Sequence, residues 1–113
     1  MSVSNVNFAK LIGVVLGENT KLKTYIKTLA GTTTFLAGYP KLWFLDPGGA
    51  TRIINLPPET NGDFYIITNT ADAAEDLTVK EDSSTTTIGT IGQNETGVLV
   101  CDGTTWRIIV GVA

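Results

Sequence analysis

From Thr32 onward, short runs rich in Thr, Val, Ile and aromatic residues are cut by glycine and proline at intervals too short for helices of ordinary length. The runs are 33–37, 41–45, 51–56, 63–69, 76–80, 86–91, 96–101 and 105–112. β-Branched and aromatic side chains suit a pleated, half-buried surface. The punctuation between the runs is that of turns. In Asp46-Pro47-Gly48-Gly49 a proline presets φ and glycine supplies positive φ. Pro57-Pro58 stops a strand, Asn61-Gly62 is a hairpin signal, and Asp102-Gly103 turns the chain into a last run where Trp106, Ile108, Val110 and Val112 alternate on one face. Strands recurring at roughly 8–12-residue spacing indicate an all-β fold, an antiparallel sandwich or jelly-roll-like barrel of about eight short strands. A chain of 113 residues supports one such domain and one core.

Charge divides the chain differently. Up to Leu45 the bases are Lys10, Lys21, Lys23, Lys27 and Lys41 against the single acid Glu18, a net +4, whereas from Asp46 onward three bases face ten acids, a net −7. A basic leader on an acidic, Thr-rich body reads as an arm that docks and a domain that faces solvent. Residues 1–31 are the expected arm and 32–113 the body. The arm holds the apolar run Leu11, Ile12, Gly13, Val14, Val15 and Leu16, far shorter than the ~20 residues of a membrane span. No cleavable signal pattern opens the sequence, so a product of the cytoplasm with no membrane partner is expected. Between Lys21 and Leu29 the pattern is ambiguous. At helical spacing Leu22, Tyr25, Ile26 and Leu29 share a face; at strand spacing Lys21, Lys23, Tyr25 and Lys27 do. Thr, Ile and Tyr favour a strand or extended arm.

Residues suited to catalysis are scarce. Histidine is absent, which removes the commonest general base and metal ligand. Cys101 is the only cysteine, so no intrachain disulfide forms, and its place in a run predicts a small buried strand residue. Glu75-Asp76 and Glu81-Asp82 flank a short run and could hold calcium or serve glycoside hydrolysis, but acids at strand ends more often keep sheet edges soluble. Trp43, Phe44, Phe64, Tyr65 and Trp106 could form a sugar-stacking platform; more often such residues fill the core of a small β domain. The lysines around Tyr25 give too small a phosphate footprint for nucleic acid beside an acidic body; an arm docking on an acidic protein surface and a plain solvated strand face both suit them better. The expectation is therefore no enzyme, no cofactor, no metal and no nucleic acid.

From Leu45 to Trp106 the motifs occur in a distinctive order: Asp46-Pro47-Gly48-Gly49-Ala50 with Arg52 and Leu56-Pro57, then Ile67 with Asn69-Thr70-Ala71, Leu77-Thr78-Val79, Thr87-Ile88 with Ile91, and Cys101-Asp102-Gly103-Thr104-Thr105-Trp106. This series resembles a module recurring in virion structural proteins of tailed bacteriophages, among them capsid decoration (cement) proteins, head fibres and tail appendages, commonly trimeric. The resemblance implies a decoration protein on the outer capsid surface, with the major capsid protein as partner. On that reading Lys10, Leu11, Ile12, Val14, Val15, Leu16, Lys21, Lys23, Tyr25 and Lys27 engage the capsid. Trp43, Phe44, Phe64, Trp106, Ile108 and Val110 serve the core or a homotrimer. A tail or fibre component binding glycans through Trp43, Tyr65 or Trp106 is the alternative.

Overall fold

The computed structural model describes residues 21–112. Among the described residues nine strands form two sheets. They are β1 (Thr24–Thr28), β2 (Thr33–Thr34), β3 (Leu42–Asp46), β4 (Arg52–Asn55), β5 (Phe64–Asn69), β6 (Leu77–Lys80), β7 (Thr87–Ile91), β8 (Glu95–Cys101) and β9 (Trp106–Val112). The larger sheet has the order β1-β3-β5-β8-β9 and the smaller one β2-β4-β6-β7. All eight runs picked out in the sequence appear, the first shortened to Thr33–Thr34, and the ambiguous Thr24–Thr28 segment is the ninth strand.

The all-β, two-layer expectation holds, but the antiparallel one is corrected. From β1 to β6 the chain crosses to the opposite sheet at every connection, so β1, β3 and β5 run parallel, as do β2, β4 and β6. Three two-strand coils are stacked, with Thr24 beside Leu42 and Leu42 beside Ile66 in the larger sheet. The chain then doubles back: β7 pairs antiparallel with β6, and β5, β8 and β9 are antiparallel neighbours. The physical reason is that a hairpin and an arch demand the same local signals. Both need alternating apolar residues on either side of a Gly/Pro turn; they differ in whether the strands hydrogen-bond in one sheet or face each other across the core. Asp46–Gly49 and Asn61-Gly62 lie in arches that carry the chain between sheets, not in hairpins. Asp102-Gly103 does make a hairpin, joining β8 to β9. Two sheets rather than one closed sheet also rule for the sandwich over the barrel.

Gly48 shows why the first arch needs glycine. Its φ is +76°, and a Cβ there would stand 2.3 Å from the carbonyl oxygen of Leu29, closer than any side chain tolerates. The Asp46 carboxylate accepts a hydrogen bond from the Gly48 amide at 2.9 Å, and Arg52 Nε donates to the Pro47 carbonyl at 2.8 Å, so the arch is tied from both ends.

Alternation sets the inner faces. Trp43 and Leu45 of β3, Tyr65 and Ile67 of β5, Leu99 and Cys101 of β8 and Trp106 of β9 point inward from the larger sheet. Ile54, Leu77, Val79 and Ile91 meet them from the smaller one. Each fully buried aliphatic chain contributes about 1.5–3 kcal/mol relative to exposure. An aromatic series threads this core: Trp43 stacks on Phe35 at 4.2 Å, Phe35 meets Tyr65 at 5.0 Å, and Tyr65 meets Trp106 at 5.9 Å between ring centroids. The indole N–H groups are satisfied, Trp43 donating to Pro40 O and Trp106 to Pro57 O. Cys101 is buried, as its place in a strand suggested.

Two polar side chains, Asn55 and Asn69, are buried with this apolar set. Asn69, fully buried at the end of β5, donates to the carbonyls of Glu75 at 2.8 Å and Ile91 at 2.9 Å and accepts from the Ala71 amide at 2.9 Å. It thereby joins the end of β5, the entry to β6 and the end of β7. Buried amides are tolerated when satisfied in this way.

Candidate functional site: the free edge of the larger sheet

Among the described residues β1 is the outermost strand of the larger sheet, and every one of its residues is exposed. It lies inside the segment expected as an arm, yet it pairs with β3 along its whole length and leads into Leu29, a core residue. Register determines which way its side chains face. Tyr25 is beside Trp43 and Lys27 beside Leu45, so both share the inner face, and Lys23 precedes Tyr25 by one strand repeat. Thr24, Ile26 and Thr28 take the outer face with Leu42 and Phe44.

Between β1 and the short β2 the core is open. A groove of about 360 Å³ is lined by Lys23, Tyr25, Lys27, Thr33, Thr34, Tyr39, Pro40 and Trp43. Tyr25 lies 4.7 Å from Trp43 and Tyr39 5.8 Å from it, so the aromatic series of the core ends here in a floor with two lysines at its rim. The lining contains two cations and no carboxylate. Sequence reasoning placed Lys23, Tyr25 and Lys27 on one face but missed Thr33, Thr34, Tyr39 and Pro40, which join them only through the parallel stacking of coils. Lys21 is exposed just outside the groove. Lys10, Leu11, Ile12, Val14, Val15 and Leu16 lie outside the described residues.

A second surface lies on the outer face of the same sheet. Register aligns Leu42, Ile66, Val98 and Ile109 in one row across four strands, with Thr24 at its end. Ile26 and Phe44 continue a parallel row that ends in Thr68 and Thr96, whose hydroxyls hydrogen-bond at 2.8 Å. Val98 is 37%, Val100 49% and Ile109 75% exposed, an apolar patch on a face that an isolated domain would show to water. The signal was in the sequence. Phe64-Tyr65-Ile66-Ile67 and Val98-Leu99-Val100 are apolar at consecutive positions, the mark of strands covered on both faces.

The other nominated aromatics divide between core and surface. Trp106 is buried, and Ile108 and Val110 pack against the core; Phe64 is half-buried and Phe44 more exposed, both on the outer face. Tyr65 is fully buried, so with Trp106 it offers no exposed stacking platform; Trp43 alone of that trio reaches an open groove. The Tyr65 hydroxyl has no hydrogen-bond partner among the described residues, and burial, aided by the Asp63 charge, pushes it up to about 12. Lys41 Nζ lies 4.4 Å from the Tyr65 ring centroid and pairs with Asp63.

The acidic pairs are engaged in turn geometry. Glu81 accepts hydrogen bonds from the Ser83 hydroxyl and from the Thr85 and Thr86 amides, closing the β6–β7 turn, and the Ser83 hydroxyl foremost, then the Thr85 amide, hold its carboxyl well below the usual range. Asp82 beside it is raised, by desolvation first and then by the hydrogen bond and charges of its acidic neighbours. Glu75 accepts from the Gly49 amide at 3.0 Å, tying the first arch to the β6 entry. Carboxylates gather as Asp46, Asp72 and Glu75 and as Glu59, Glu81 and Asp82. Asp102 accepts from the Thr104 and Thr105 amides and is held below its ordinary value by those bonds, Thr105 foremost. Among the described residues, no helix is long and apolar enough to cross a membrane. Comparison with protein-family models, curated proteins and solved structures gives no match for this chain.

Proposed function

We propose that this chain is a small structural protein of a tailed-phage head, a decoration protein that binds the outer capsid surface, bridges neighbouring capsomers and works as a homotrimer. The observation that supports it most is the larger sheet itself, which presents a basic aromatic edge at β1 and an apolar outer face on one rigid body. A rigid scaffold with two unlike contact surfaces is what a bridging protein requires: one for its own kind, one for the shell. The motif order from Leu45 to Trp106, similar to that of phage virion modules, points the same way. The apolar row Leu42–Ile66–Val98–Ile109 is the face suited to trimer contacts. Residues 1–31 are the attachment region, with β1 as the part anchored in the body.

Three copies held together raise the effective concentration of three weak attachments, so avidity replaces individual affinity. The test is uptake by phage heads that lack the protein. The full chain is expected to bind them saturably, and a chain without residues 1–20 to stay an oligomer in solution but lose binding. Full retention of binding by the shortened chain contradicts a part for residues 1–20 and confines attachment to 21–31.

One observation favours a second reading. Tyr25, Tyr39 and Trp43 present aromatic rings to an open groove, and such rings stack on sugars. A tail or fibre component that binds glycans would use this groove. A glycan array, read together with the position of the protein on purified virions, separates the two.

A further inference from the structure

We propose that the free edge of β1 is a strand-addition site for an extended acidic segment of a partner protein, bearing two carboxylates four residues apart with an apolar side chain midway. That the partner is a shell protein rests on the decoration reading; the strand addition itself does not. Three features converge on this occupant.

The first is the backbone. β1 is fully hydrogen-bonded in register to β3 on one side, and no described strand lies on its other side. An edge strand offers a row of donors and acceptors to another extended chain. Among the described residues the stack of parallel coils ends here, so an added strand would continue it and roof the groove between β1 and β2.

The second is side-chain spacing. Residues beside one another on paired strands share a face. An added strand therefore sets alternate side chains against Lys23, Tyr25 and Lys27, which share the groove side. Acids opposite the two lysines and an apolar residue opposite Tyr25, above the Tyr25–Trp43–Tyr39 floor, satisfy all three positions. Lysines on an edge ordinarily discourage pairing with like edges. Here they discourage basic and neutral strands and admit an acidic one.

The third is the identity of the donor. Residues 1–20 contain one acid, Glu18, and so lack the pair. Elsewhere in this chain the acids four residues apart are Glu59 with Asp63 and Asp72 with Asp76, with Asn61 and Ala74 midway. Both segments run through turns and bends of the folded body, not extended strand. A second copy therefore does not present the segment, and the charge complement of the groove comes from a different protein.

The test uses the full chain and a fluorescein-labelled peptide, Thr-Asp-Thr-Val-Thr-Asp-Thr, with two controls: lysines in place of the aspartates, and N-methyl groups on alternate amides. Anisotropy gives affinity, and amide chemical shifts locate the site. The expected result is saturable binding with shifts centred on Lys23–Thr28. Binding should weaken tenfold or more for both control peptides and for Lys23→Glu/Lys27→Glu with the parent peptide. No binding of the parent peptide, or equal binding of the N-methylated one, overturns the proposal. So do amide contacts from residues 1–20 to β1 in the free chain, which assign the edge to the leader. Loss of self-association in Lys23→Glu/Lys27→Glu, seen by sedimentation, assigns it to a second copy and overturns it too. Uptake of the chain by phage heads separates the two readings. Peptide binding without uptake defeats decoration and leaves the edge standing; uptake without peptide binding defeats the edge and leaves decoration standing.

Discussion

The ring of Tyr25 packs 4.7 Å from that of Trp43, centroid to centroid, because β1 lies parallel to β3 with these two residues in register. One partner is buried and the other is 40% exposed, so the pair links the core to the open groove. Substitution should split accordingly. Trp43→Ala removes a buried indole and is expected to cost about 3–5 kcal/mol in urea unfolding. Tyr25→Ala forfeits one partly exposed aromatic contact, about 0.5–1.5 kcal/mol, while leaving the fold intact. Equal losses from the two changes would contradict the placement of Tyr25 at the rim.

Asn69 joins three chain segments through its one amide. Asn69→Ala removes the hydrogen bonds to the Glu75 and Ile91 carbonyls and from the Ala71 amide, and a loss of about 2–4 kcal/mol is expected. Asn69→Asp is expected to be worse at neutral pH, since a carboxylate would then face the carbonyls of Glu75 and Ile91. Chemical denaturation of both variants checks the order.

A Cβ on Gly97 would lie 2.6 Å from Ile91 Cδ1 of the opposite sheet and 3.2 Å from Ile108 Cδ1 of the neighbouring strand. Gly97→Ala is expected to destabilise by about 1–3 kcal/mol through overpacking. Shortening the opposing chain with Ile91→Val should recover part of that loss, and a double-mutant cycle in thermal unfolding measures the coupling. Additive losses would place the strain elsewhere.

These sites differ in how far the chain announces them. Alternation marks a half-buried strand whatever its partner, and so Trp106, Ile108 and Val110 were legible as one inward face of the last strand. Pairing was not. Leu45 and Ile54 read identically whether Asp46–Gly49 folds a hairpin or an arch, and only the second stacks β1, β3 and β5 in parallel. The groove follows from that stacking. Lys23, Tyr25 and Lys27 were readable as one face of a strand, but Tyr39 and Pro40 have no periodic relation to them. The outer apolar row was half legible: consecutive apolar residues in β5 and β8 say that both faces are covered, and say nothing of what covers the second.

Tyr65 makes stability fall on the alkaline side. Its phenol ionises at about 12 in the fold against 10.0 ordinarily, so the unfolded chain releases its proton first. Stability from this group is complete below pH 10 and declines as pH rises toward 12. Tyr65→Phe removes both this decline and a buried hydroxyl without a partner. The variant is expected to equal or exceed the wild type near pH 7 and to gain on it steadily above pH 10. Thermal melts across that range check the sign, and a parallel decline in both proteins would refute it.

The outer face of the larger sheet is expected to hold the oligomer. Val98→Asp with Ile109→Asp places charges in the apolar row without touching the inner face, since both side chains point outward. Circular dichroism should be unchanged while sedimentation velocity shows monomers in place of trimers. A trimer that survives the double change would move the contact elsewhere.

The most direct test of the central claim is the location of the protein on virus particles. Cryo-electron microscopy of virions with and without this chain should give a difference map with density of trimeric outline on the outer surface of the head, contacting adjacent capsomers. Density confined to the tail, or particles identical in the two maps, would contradict the account.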